Sequence, residues 1–181
     1  MAEIIDVRHL ARTPDEAPKP RVVDVGKNEG VLLVFKAASR SILAAGKIAD
    51  PDKGSLPKKV HVFVRDPLER VISGYRFFSM RNLDPRGPFR DRELPKIESY
   101  EDYVDNILSG DRNVHWEPVA DLIERFGKPV IIHRFEDMQA EFPNGIQLER
   151  RNESKPVHVN EGYRYDELRE FYAADYALRN S

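Results

Sequence analysis

The 181-residue chain contains no cysteine, which excludes disulfides and thiolate metal sites. No run approaches the roughly 20 apolar residues of a membrane helix. The opening MAEIIDVRHLARTPDEAPKP has no apolar core of signal-peptide length. These absences lead us to expect a soluble, cytoplasmic protein without a membrane partner. An excess of one charge is missing too. Charged residues make up 33% of the chain but the net charge is −2, so nothing points to nucleic-acid binding. No internal repeat or second domain is evident. The length suits a single domain over residues 1–181, with residues 1–21 as a polar lead carrying a short strand at Ile4–Val7. No G-x-x-x-x-G-K-[ST] loop occurs, which counts against a nucleotide kinase.

What is present concentrates between Val60 and Phe78, in VHVFVRDPLERVISGYRFF. Val60–Val64 reads as an apolar strand that delivers Arg65 to a helix start. Asp66 suits the N-cap, Pro67 the first helical position and Glu69 the capping box. Free N–H groups and the dipole at such a start favour an anion. At about 100° per residue, Leu68, Val71, Ile72, Tyr75 and Phe78 share a core face. Arg70, Ser73, Gly74 and Phe77 fall opposite, where a small hydroxyl and a glycine would let a ligand approach. A solvated face, with Arg70 paired to Asp66 or Glu69, is the competing reading.

A second unit of the same kind lies upstream. Val31–Phe35 is a continuous apolar run, as for a strand buried on both faces. It leads into Lys36, Ala37, Ala38, Ser39, Arg40 and Ser41 and then a helical Ile42–Ala45. A lysine, hydroxyls and an arginine are the groups that hold phosphate oxygens.

The order strand–K-x-x-S-x-S–helix, then strand–R-D-P-x-x-R-x-x-S-x-Y–helix, resembles the sulfotransferases that use 3′-phosphoadenosine 5′-phosphosulfate (PAPS). The likeness is to the carbohydrate branch, the heparan and chondroitin enzymes. Weaker matches follow in order: Asn113–Pro118 around His115 and Trp116, Val130–Met138 after a later strand, and Phe171–Leu178 in a closing helix. The resemblance implies an α/β, P-loop-like sulfotransferase fold with a mostly parallel central sheet flanked by helices. It also implies PAPS as co-substrate, no metal, and a small-molecule or glycan acceptor.

Carried over by position, Lys36, Ala38, Ser39, Arg40 and Ser41 would form the 5′-phosphosulfate loop, and Arg65 and Ser73 the 3′-phosphate site. Phe35 and Arg40 depart from the family, which commonly has proline and threonine there. Arg151 and Lys155 fall where relatives close over the nucleotide; a solvated charge run is the other reading of that stretch. Sulfuryl transfer, like phosphoryl transfer, asks the protein to position reactants and neutralise a leaving group. Lys36 is the candidate for neutralisation. His115 is the candidate base, with Glu136 as the alternative; His61 and His133 read as packed histidines.

The remaining elements are a turn-rich Asp50–Lys59, a proline- and arginine-rich loop from Asn82 to Lys96, and a helix capped by Ser99 running to Leu108. A helix over Glu117–Phe126, a third strand over Lys128–His133 and a long loop over Phe142–Gly162 follow. From Arg65 to Arg92 seven arginines face four acids, which would suit an anionic donor or an acidic glycan, or else a solvated loop. A non-catalytic relative that keeps the nucleotide pocket remains a third reading beside transferase and kinase.

Overall fold

The computed structural model describes residues 20–49, 54, 56–83, 97–110, 115–149 and 157–181. The expected strand at Ile4–Val7, most of the Asn82–Lys96 loop, Arg151 and Lys155 lie outside them.

Five strands form one sheet: β1 (Val22–Gly26), β2 (Glu29–Leu32), β3 (Lys47–Ile48), β4 (Lys59–Val64) and β5 (Ile131–Arg134), in spatial order β3-β1-β2-β4-β5. The pairings of β2 with β4 and of β4 with β5 are parallel. Those of β1 with β2 and β3 are antiparallel. The mostly parallel sheet read from the sequence is therefore corrected to a mixed one. Its cause is a tight hairpin. Gly26, Lys27 and Asn28 all have positive φ (89°, 52° and 62°), the backbone that a two-residue hairpin turn demands. The GKN triplet forms this turn, and β1 before it is a strand the sequence reading lacks.

Of the strands that were read, β2 is buried on both faces as expected and so is β4, whereas β5 is half-buried at Ile131–His133 and exposed at Arg134. Val60, Val62 and Val64 of β4 join Leu32 and Val34 on one side, packing against Val119, Leu122 and Ile123 of α4 (Val119–Phe126) and Leu178 of α7 (Ala173–Arg179). Phe63 joins Val31 and Leu33 on the other side with Ile42 of α1 (Ser39–Ala45) and Met138 of α5 (Met138–Glu141). Residues two apart share a face, so one apolar run feeds two cores. A third cluster lies among helices: α2 (Pro67–Leu83), α3 (Tyr100–Leu108) and α6 (Tyr165–Phe171), with Trp116 and Tyr172. Ser99 caps α3 by accepting from the Asp102 N–H at 3.0 Å, as its sequence position implied. The closing segment is two helices, α6 and α7, rather than one.

One buried ion pair ties these layers together. Arg70 Nη2 of α2 lies 3.2 Å from Asp175 Oδ2 of α7, the side chains 2% and 0% exposed. Asp175 also accepts from the backbone N–H groups of Val119 and Ala120, at 3.0 and 2.9 Å. It therefore caps α4 from another helix, where Pro118 has no side chain to do so. Among the described residues, no helix is long and apolar enough to cross a membrane.

Candidate active site

Parallel pairing decides where the chemistry sits. β2 and β4 are hydrogen-bonded neighbours running the same way, Val31 beside His61. The turns leaving their C-terminal ends are therefore adjacent, as ligand-binding turns of open α/β sheets are. The first turn carries Lys36 to Ser41 and the second carries Arg65.

The second turn folds as its sequence dictates. Asp66 Oδ1 accepts from the N–H groups of Leu68 and Glu69, at 3.0 and 3.2 Å, and caps α2. Arg65 is thereby held at the helix mouth. Its Nη1 donates to the carbonyl of Lys36 at 3.4 Å, its Nε lies 3.2 Å from Glu69 Oε2, and its guanidinium stands 5.2 Å over the Phe135 ring. Phe135 directly follows β5, so one side chain joins the ends of three parallel strands.

The first turn is strained. Lys36 and Ala38 have φ of 67° and 52°, left-handed values that non-glycine residues seldom adopt. Each costs on the order of 1 kcal/mol and persists only where surroundings enforce it. The Arg65 bond to the Lys36 carbonyl is one enforcing contact. Another is the Lys36 amine itself, which sits 3.5 Å from the centre of the Phe77 ring. Burial, aided by the nearby Arg40 charge, pushes the Lys36 pKa from 10.5 down to about 7. Arg40 is otherwise exposed, and Ser39 is the half-buried first residue of α1. Ser41 is buried and donates to the Glu149 carbonyl at 2.8 Å. That bond ties Glu149 to the start of α1.

His115 is buried in an aromatic setting: Phe35 edge-on at 5.0 Å, Phe77 stacked at 5.1 Å and Phe78 edge-on at 5.3 Å. The two residues predicted to act in catalysis thus meet the same ring. The sequence placed Phe77 on the face of Ser73, one turn away, but gave no sign of this role. Ser73 is half-buried on that stripe.

The rest of the supposed ligand face of α2 is closed. Arg70 belongs to Asp175, not to Asp66 or Glu69. A Cβ added at Gly74 would fall 2.0 Å from the Tyr103 hydroxyl oxygen, so this glycine permits helix contact rather than ligand approach. Glu136 is partly exposed and pairs with Arg179 at 3.2 Å. Burial raises its pKa, but its own backbone N–H and Arg179 outweigh this and hold the carboxyl below its usual range. His61 and His133 are packed histidines, as expected: Nδ1 of the first lies 2.8 Å from Nε2 of the second, and His133 Nδ1 lies 3.1 Å from Glu141 Oε2. They lie on the sheet face of Phe63.

Adjacent strand-end turns presenting a lysine, an arginine and hydroxyls make an arrangement of groups that suits an anion, on an α/β fold. A model of the sulfotransferase family matches residues 52–178, well over half of the chain. The chain belongs to that family, whose chemistry is sulfuryl transfer. The matched residues include Arg65, Ser73 and His115, while the Lys36 turn precedes them. Neither a curated protein nor a solved structure matches the chain.

Proposed function

We propose that this sulfotransferase takes its sulfuryl group from PAPS and passes it to a hydroxyl of a carbohydrate. The observation that carries the reading is the Arg65 bond to the Lys36 carbonyl, which makes one anion site of two turns. Arg65 and Ser73 would hold the 3′-phosphate and the Lys36 turn the 5′-phosphosulfate. The acceptor oxygen forms the new O–S bond as the bond from sulfur to the 5′-phosphate oxygen breaks. The acceptor's proton passes to His115, and 3′-phosphoadenosine 5′-phosphate leaves. Lys36 as an ammonium would offset the charge growing on that leaving phosphate. The arginine-rich stretch after β4 favours an acidic glycan as acceptor.

Thermal shift tests the donor. We expect stabilisation by 3′-phosphoadenosine 5′-phosphate, with ATP and magnesium much weaker. The reverse preference would overturn the reading. Binding without turnover is the second reading, favoured by the burial of His115 among Phe35, Phe77 and Phe78. Tight donor binding with no transfer from labelled donor to any glycan of a panel would support it.

A further inference from the structure

Phe77 lies outside both sequence motifs and carries no hydrogen-bonding or titratable group. Its ring nevertheless supports the two reactive side chains of the site. The Lys36 amine sits 3.5 Å from the ring centre and the His115 imidazole stacks on the same ring at 5.1 Å, with 24° between the planes. An ammonium over an aromatic face is attracted by the ring quadrupole, most strongly where water is excluded. Lys36 needs such a partner. Its backbone is held in the left-handed region by a turn fixed at its carbonyl, and its amine is desolvated and faces the Arg40 charge. Among the described residues, no carboxylate forms an ion pair with it; the ring face takes that place.

We propose that Phe77 is a positioning residue: its ring face holds the Lys36 ammonium at the mouth of the donor site and so sets where that charge is presented. The inference rests on the donor reading only for what the ammonium is presented to. A ring is suited to the task. A carboxylate would pair with the amine and cancel the charge a leaving phosphate requires, whereas a quadrupole steers the cation and leaves its charge intact. The spacing agrees, because Phe77 follows Ser73 by one helical turn on α2. The arginine end, the serine and the ring thus run along one helix. The imidazole packed on the same ring ties the place of the base to that of the cation.

The decisive measurement is the pH profile of Lys36 acylation in the unliganded protein, read by mass spectrometry after a brief amine-reactive pulse. Phe77→Leu keeps an apolar side chain of similar bulk and removes the π face. We expect its Lys36 midpoint to fall by about one pH unit, because the ammonium loses its partner while staying desolvated. Phe77→Tyr should restore the wild-type midpoint. If Phe77→Leu does not fold, as judged by circular dichroism, Phe77→Met carries the same comparison. A midpoint that is unchanged in the folded variant would overturn the proposal, since a merely space-filling ring would leave it in place.

Protection of Lys36 by saturating 3′-phosphoadenosine 5′-phosphate forms a separate arm. A shifted midpoint without protection supports the role of Phe77 and removes the donor reading. Protection with an unshifted midpoint does the opposite.

Discussion

Arg65 donates to the backbone carbonyl of Lys36, 29 residues earlier in the chain, and so makes the two strand-end turns one structure. The same guanidinium that would meet a phosphate also holds the turn that presents the ammonium. Arg65→Ala should therefore do more than delete a charge. A hydrogen bond to a charged group contributes about 1.5–3 kcal/mol. We expect bisphosphate affinity to fall roughly ten- to hundredfold by titration calorimetry. Arg65→Lys should recover only part of it, because a point charge cannot serve two partners in fixed directions. Undiminished affinity in Arg65→Ala would refute the assignment.

Glu69 stands on Arg65 from one turn along α2, its side chain 59% exposed. An exposed pair of this kind is worth under about 1 kcal/mol, yet a ligand phosphate must displace it. Glu69→Gln should tighten bisphosphate binding by up to about fivefold and weaken its salt dependence little. Looser binding would mean that the carboxylate helps the site rather than competing for it.

The depressed pKa of Lys36 makes binding proton-linked. In the unliganded fold the amine loses its proton near pH 7. A bound anion favours the ammonium and raises that pKa, so binding above pH 7 takes up a proton. From this group affinity should be level below pH 7 and fall above it, by at most about tenfold per pH unit. Calorimetry at pH 8 in buffers of differing ionisation enthalpy measures the uptake, and Lys36→Met should abolish it. Without ligand the linkage runs the other way. The unfolded chain holds this proton up to its ordinary 10.5, so stability should rise with pH from about 7 toward that value.

His115→Gln tests the base. Turnover should drop about 10²- to 10⁴-fold, the range of general base catalysis, with bisphosphate affinity kept within about threefold. Near-normal turnover would leave the imidazole as packing among Phe35, Phe77 and Phe78.

Asp175 is buried with Arg70 and caps α4. Removing one partner strands the other, which costs about 3–5 kcal/mol. Urea melts of Asp175→Ala should show a loss of that size. Arg70→Met should resemble it, leaving the carboxylate bound only by two N–H groups. A loss below about 1 kcal/mol would show that water reaches the pair.

The sequence was legible where local chemistry decides structure. Asp66, Pro67 and Glu69 announce a helix start, Ser99 announces another, and Val31–Phe35 announces a strand covered twice, although the paired strand runs Glu29–Leu32. It was legible at Arg65 because a strand, a cap and an arginine follow within a few residues. It was silent where distant segments meet. Arg70 looked free to bind a ligand because its partner is 105 positions away. Gly74 looked open because Tyr103 comes from another helix. Phe77 read only as a member of the face opposite the core, because the Lys36 amine on its ring comes from another turn. The mixed sheet is a different failure: the positive-φ turn at Lys27 and Asn28 is local, and its signal was passed over.

β4 and β5 pair across about seventy residues, His61 beside Ile131. Closing so long a loop precedes any reward from the contacts it makes, which slows folding of such topologies. The Arg65 turn can form early with its helix, but Phe135, over which its guanidinium rests, arrives only when that pairing is made. Refolding followed by two probes should therefore show helix signal ahead of bisphosphate-binding competence. The ligand site would be among the last parts of the molecule to mature.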